Sequence, residues 1–205
     1  MTMRWRLYRF ASECWRGGRE GRKWLPDGGL LAGLLLVAVV AAAGSLQSIV
    51  APGPGEQYLF SAEDTSVRRP VAVPEHALQL LAKEPGVLAT LKAERIPEAR
   101  PPQAWFLASE VHLGGPREPD LVVIGVGPLR GANVGEFWVF ERTEAGYRIV
   151  LSTSAMQLEI LGSKSNGYRN IRGTRLIGAT KISSVVFRFR GGKYQADKPK
   201  IEPIG

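Results

Sequence analysis

Cysteine and histidine are scarce in this chain of 205 residues, and their scarcity limits the chemistry it can carry. Cys14 is the single cysteine, so no disulfide can form within the chain. The only histidines are His76 and His112. A zinc site needs three or four ligands, usually Cys and His at recognisable spacing. We therefore predict no metal site and no cofactor.

Charge is missing from the segment Gly28 to Ala51, which reads GGLLAGLLLVAVVAAAGSLQSIVA. About 20 apolar residues at ~1.5 Å rise cross the ~30 Å hydrocarbon core of a bilayer. Residues 1–27 hold seven Arg and Lys against three acids, a flank that the positive-inside rule places in the cytoplasm. The sequence thus predicts a basic cytoplasmic tail at 1–27, a transmembrane helix at 28–51 and an extracytoplasmic, periplasmic location for the remainder.

A cleaved signal peptide is the alternative interpretation of the same segment. Leu30 to Val40 has the length of a signal-peptide core, and cleavage near Ala43 would release a secreted protein. We favour the uncleaved anchor in the cytoplasmic membrane, because the charged flank is long and apolar residues resume at Leu46. Both interpretations export the rest of the chain.

The exported part divides by composition and periodicity. Residues 52–73 are rich in Pro, Gly and polar side chains, which indicates a linker. Residues 74–102 form a helical segment with short helices predicted at 75–84 and 87–94, and 198–205 is a tail. Residues 103–197 contain seven strand-like runs separated by turn residues: 105–111, 120–126, 136–142, 147–153, 157–163, 168–174 and 181–189.

These runs predict a mainly β fold. We expect an antiparallel meander that forms a small twisted sheet or a sandwich, with two short helices before it. Alternation along two of the runs puts Phe137, Val139, Tyr147, Ile149 and Leu151 on one face of the sheet.

The pattern DLVVIG…GEFWVFERTEAGYRIV is repeated loosely as YRNIRG…SVVFRFRGGKYQA. Over residues 105–195 the chain resembles FG-GAP or VCBS-type β-blade repeats and uncharacterised bacterial envelope proteins. FG-GAP blades carry a calcium loop rich in Asp. Here that loop would fall between Glu110 and Asp120, where Arg117 opposes a cation, so the resemblance brings no calcium site. Two or three blades also cannot close a propeller.

Positive charge is concentrated near the C-terminus. Residues 164–205 hold ten Lys and Arg against two acids, whereas 51–163 hold ten against fourteen. This asymmetry predicts a basic face that contacts an anionic partner: a membrane surface, a membrane-protein complex or an anionic envelope component. The residues we assign to this face are Arg169, Arg172, Arg175, Arg188, Arg190 and Lys193.

The stretch SVVFRFRGGKY at 184–194 resembles an Arg/Gly/aromatic nucleic-acid motif, but it also fits a strand running into a turn. Export would separate it from cytoplasmic RNA and DNA, so we predict no nucleic-acid partner. As a hairpin it would place Val185, Phe187 and Phe189 on one face and Arg188 and Arg190 on the other.

The favoured function is a non-enzymatic accessory or interaction domain held at the membrane. The alternative is an envelope hydrolase acting on peptidoglycan or another glycan. Its acid/base candidates would be Glu110, His112 and Asp120, because two carboxyl groups and an imidazole can exchange protons with a substrate.

Overall fold

The computed structural model describes residues 55–97 and 100–204. The predicted tail at 1–27 and the predicted transmembrane helix at 28–51 lie outside the described residues. Within the described ranges, no helix is long and apolar enough to cross a membrane. The strands are β1 (Leu59–Ser61), β2 (Pro70–Val71), β3 (Phe106–Val111), β4 (Asp120–Gly125), β5 (Gly135–Thr143), β6 (Gly146–Ala155), β7 (Gln157–Ser165), β8 (Tyr168–Ile177), β9 (Lys181–Arg190), β10 (Lys193–Ala196) and β11 (Lys200–Pro203).

These strands form two antiparallel sheets. The covered sheet has the order β2-β3-β4-β5-β6, and the open sheet has the order β1-β7-β8-β9-β10, with β11 also paired to β9. The chain passes from one sheet to the other at Met156, the one residue between β6 and β7. The mainly antiparallel β fold predicted from the sequence is confirmed.

The sheet is called covered because a layer of helices lies on one of its faces. Helix α1 (Glu75–Leu81) and helix α2 (Pro85–Ala93) pack on one face of this sheet through a buried core that includes Leu78, Leu91 and Trp138. The other face packs on the open sheet. Strand β4 is therefore buried along its whole length, as its nearly continuous apolar sequence DLVVIG requires.

The inter-sheet core includes Phe60, Val122, Phe137, Ile171 and Phe189. Because successive side chains of a strand point to opposite faces, the other half of each open-sheet strand points outward. Strand β9 follows the predicted alternation. Val185, Phe187 and Phe189 face the core or line its edge, whereas Arg188 and Arg190 face outward.

One predicted alternation fails at a β-bulge. The register between β5 and β6 shifts at Val139 and Phe140, which leaves Val150 as an extra residue. Phe137, Val139 and Leu151 face the open sheet, but Tyr147 and Ile149 pack on the helical side. The prediction that all five share a face is therefore wrong, because the bulge reverses the alternation in the middle of β6.

The seven predicted strands all form, with bounds that differ from the prediction by at most three residues. Helix α1 begins at Glu75 as predicted and ends three residues early, whereas α2 begins two residues and ends one residue earlier than predicted. Glu84 has an extended backbone because Pro85 follows it, and Pro85 itself starts α2, where no N–H is needed.

The described portions of the expected linker and tail also form structure. Residues 55–73 contain β1 and β2 and bring Phe60 and Ala62 into the core. Strand β11 lies within the expected tail. Such short strands have too few residues to show a period of two, so they leave little trace in the sequence.

Candidate functional site

A buried polar cluster joins the two sheets, and Asp120 is its least exposed member at 0%. Asp120 begins β4 opposite Val111, and its side chain points to the open sheet, as Val122 does two residues later. The Arg142 backbone N–H donates to Oδ1 at 2.9 Å, while Oδ2 has no hydrogen-bond partner within the described residues. Burial raises the Asp120 pKa to about 7, so this carboxyl group can change its charge near neutral pH.

Glu141 is the second buried carboxyl group, and it is 5% exposed. Arg148, its cross-strand neighbour on β6, donates from Nε to Glu141 Oε2 at 2.5 Å. The Tyr168 hydroxyl, from β8 of the open sheet, donates to Oε1 of the same carboxylate. Burial and this bond raise the Tyr168 pKa to about 12. Tyr168 therefore keeps its proton and links the sheets through a charge-assisted hydrogen bond.

An aromatic stack completes the cluster on the open sheet. The Tyr168 ring lies parallel to Phe189, with centroids 3.8 Å apart, and Phe189 meets Tyr194 edge-on at 5.3 Å. The Tyr194 hydroxyl donates to the Arg169 carbonyl at 2.7 Å, and burial raises the Tyr194 pKa. The aromatic rings of this cluster thus pack together and its polar groups are hydrogen-bonded. The exception among the described residues is Asp120 Oδ2, which has no hydrogen-bond partner.

The three acid/base candidates do not form one constellation. Glu110 pairs with Leu121, whose side chain lies in the helix-facing core, so Glu110 and Asp120 point to opposite faces of the covered sheet. Glu110 is held by Arg69 at 2.9 Å. His112 lies beyond β3, with Nδ1 3.4 Å from Glu56 and Nε2 3.8 Å from Glu118.

Four of the six predicted basic-face residues are already engaged. Arg169 is 5% exposed, and its guanidinium lies 5.0 Å from the centre of the Tyr58 ring. Arg172 pairs with Glu159 at 3.5 Å, while Arg188 and Arg190 share Asp197 at 2.6 Å and 3.2 Å. The hydrogen bond from Arg188 lowers the Asp197 pKa. The remaining two, Arg175 and Lys193, have no ion-pair partner within the described part of the chain.

The free end of the open sheet, which we define as residues 175–183 and 200–204, exposes apolar side chains. Leu176 and Ile177 are adjacent on β8 and so point to opposite faces, yet they are 39% and 38% exposed. Ile201 on β11 is 56% exposed, and Ile204 is 44% exposed. The Ile204 N–H donates to the Thr180 carbonyl at 2.9 Å, so Ile204 is fixed to the β8–β9 turn.

Cations and a cavity adjoin this apolar surface. Arg175 and Lys181 are exposed around it, and the exposed Lys200 is paired with Glu202 at 2.6 Å. A cavity of about 180 Å³ lies between the sheets beside it, lined by residues that include Ala155, Arg175, Ser183, Val185 and Phe187. The free end therefore combines exposed apolar side chains on both faces of the sheet, a pocket large enough for one side chain, and positive charge.

The opposite end of β8 consists of the β7–β8 turn, the β9–β10 turn and the segment around Glu56 and Arg68. We call it the tethered end because residues 1–54 join the described domain there. Glu56 is 8% exposed and accepts hydrogen bonds from the His112 backbone and the Tyr58 hydroxyl. Beside it lies an open cleft of about 480 Å³ whose lining includes Tyr58, Leu59, Val67 and Arg68.

Sequence reasoning identified Asp120 but not the residues around it. Glu141, Tyr168 and Tyr194 come from three other strands and meet only when the sheets pack. The sequence signal for Asp120 is its position as a carboxyl group at the head of a continuous apolar run. No group of three or more His, Cys, Asp or Glu that could hold a metal occurs in residues 55–97 and 100–204.

Comparison of this chain with family models, with curated protein sequences and with solved structures finds no match. The candidate function therefore depends on the sequence and on the geometry of the described residues.

Proposed function

We propose that the chain is a single-pass, membrane-anchored protein whose extracytoplasmic β domain is a non-enzymatic interaction module. The anchor is the uncharged segment 28–51, and the basic tail at 1–27 sets its orientation. The observation that carries the interaction role is the free end of the open sheet, where exposed apolar side chains adjoin the cations Arg175 and Lys181.

The free end supports a protein partner with an apolar and acidic surface. Exposed apolar groups rimmed by charge are typical of protein interaction sites. A partner side chain inserted into the cavity beside Val185 and Phe187 would be desolvated, and carboxylates of the partner would meet Arg175 and Lys181.

Site-specific photocrosslinking in intact membranes tests this proposal. A photoreactive residue in place of Ile177 or Ile201 should give one discrete crosslinked protein band, because both positions lie in the proposed interface. The matched control is Ala89, which is exposed on α2 on the other side of the covered sheet. A band of equal strength from Ala89, or none from Ile177 and Ile201, would contradict the proposal.

Topology is tested separately with C-terminal reporter fusions. A reporter that is active only outside the cytoplasm should be active on the full chain. It should become inactive when three leucines of the 28–51 segment (Leu34, Leu35 and Leu36) are replaced by arginine, since charges in mid-bilayer oppose insertion. A cytoplasmic C-terminus would overturn the anchor and would restore nucleic acid as a partner class for the 184–194 motif.

A further inference from the structure

The distance between the predicted anchor and the folded domain is short. Glu56 is already fixed by the His112 backbone, and the Ile160 N–H donates to the Tyr58 carbonyl at 2.7 Å. Only Pro52, Gly53, Pro54 and Gly55 separate Ala51 from Glu56. At ~3.3–3.6 Å per residue, these five steps span about 18 Å at most. Glu56 therefore lies within about 18 Å of the hydrocarbon boundary if the segment 28–51 spans the membrane.

The direction of the strands then decides which surface is near the membrane. The β7–β8 turn and the β9–β10 turn lie together at the tethered end, since Asn166 donates to the Phe189 carbonyl at 2.8 Å. Strand β8 has ten residues and runs from this end to the free end, a distance of about 30 Å at ~3.3 Å per residue. A tether this short would hold the first end at the bilayer surface and leave the other end directed away from it.

The charges at the tethered end suit an anionic surface. Arg68, Lys164 and Lys193 are exposed there, and none of the three has an ion-pair partner within the described residues. Of the neighbouring carboxylates, Glu144 pairs with Arg117 and Asp197 with Arg188 and Arg190, Glu118 accepts from the Gly114 backbone N–H, and Glu56 is buried. Basic residues close to a membrane each strengthen binding to anionic lipid.

We propose that the tethered end rests on the membrane and binds anionic phospholipid headgroups through Arg68, Lys164 and Lys193. The open cleft beside Arg68 offers Tyr58 and Leu59 to the apolar part of a lipid, and Leu59 is 52% exposed. This inference rests on the proposed membrane anchor and adds a fixed orientation, in which the free end faces away from the bilayer.

The test uses the full chain in nanodiscs of zwitterionic lipid or of zwitterionic lipid with phosphatidylglycerol. In a Cys14→Ser background, a fluorophore is attached at Ser66→Cys or at Ala179→Cys, two exposed positions at the tethered and free ends. Nitroxide on the lipid headgroups should quench the label at 66 several-fold more than the label at 179. Adding phosphatidylglycerol should increase quenching at 66 only, and salt should reverse that increase.

Two matched triple variants identify the cations. Arg68→Gln with Lys164→Gln and Lys193→Gln should abolish the response to phosphatidylglycerol. Arg175→Gln with Lys181→Gln and Lys200→Gln removes the same charge from the free end. This variant should keep the response to phosphatidylglycerol.

The possible failures are distinguishable. A chain that does not enter the discs overturns the membrane anchor and this inference with it. A chain that enters the discs but shows equal quenching at both labels, or stronger quenching at 179, overturns only the orientation. An unchanged response in the tethered-end triple variant overturns the role of Arg68, Lys164 and Lys193.

Discussion

The two sheets of this domain differ in the sequence pattern of their strands, and the difference follows from what covers each face. Strand β4 of the covered sheet reads DLVVIG, because helices lie on one face and the open sheet on the other. Strand β9 of the open sheet reads KISSVVFRFR and alternates, because one face meets the core and the other meets solvent. Both faces of the covered sheet and the inner face of the open sheet should therefore contribute to stability, and the outer face of the open sheet should contribute little.

The strongest test of this comparison truncates a buried side chain of the covered sheet and an outward-facing side chain of the open sheet. Trp138→Ala should lower the free energy of unfolding by about 3–5 kcal/mol, because Trp138 is 1% exposed between the covered sheet and the helices. Val186→Ala, on the outer face of the open sheet, should cost about 0.5 kcal/mol or less. Urea denaturation measures both, and comparable losses would contradict the proposed division between the sheets.

Titration of Asp120 should make the contact between the sheets depend on pH. Its folded-state pKa is raised from 3.8 to about 7, so folding favours the protonated form. The stabilisation is complete below pH ~4 and is lost as the pH rises through ~7, by about 4 kcal/mol at most. Denaturation curves between pH 4 and pH 8 measure the slope.

The variant Asp120→Asn isolates this effect. Asn is always neutral and its carbonyl oxygen can still accept from the Arg142 N–H. It should match the wild type near pH 4 and exceed it in stability at pH 8. Parallel pH profiles of the two proteins would show that another group controls the pH dependence.

Removing the polar link between the sheets should have an intermediate effect. Tyr168→Phe keeps the ring stacked on Phe189 but removes the hydroxyl that donates to Glu141. A loss of about 1.5 kcal/mol is expected, since the acceptor is a buried carboxylate and the Tyr168 ring is half-buried. Thermal denaturation measures this loss, and Tyr147→Phe on the helical side serves as the control.

The smallest effect is expected on the outer face of the open sheet. Arg188→Gln removes one of two arginines that share Asp197, and Arg190 remains to pair with it. Exposed ion pairs contribute little to stability, so the thermal midpoint should hardly change. A drop as large as that of Tyr168→Phe would show that the outer face is not merely solvated.

Sequence patterns predicted the strands whose side chains follow a clear environment. Strand β4 is apolar after Asp120 and β9 alternates, and both were found from those patterns. Strands β1 and β11 were not predicted, because three or four residues paired to a distant strand carry no period of their own. The same limit explains the site: Glu141 and Tyr168 are 27 residues apart, and only the packing of two sheets joins them.

The pairing of β1 with β7 has a consequence for the order in which the domain assembles. Leu59 lies opposite Glu159, so this contact closes a loop of about a hundred residues, which costs more chain entropy than any hairpin of the sheets. The helices and the β3–β6 meander need only local contacts and can form before β7 is available. We therefore expect β1 to be locked into the sheet late, after β7 has been synthesised.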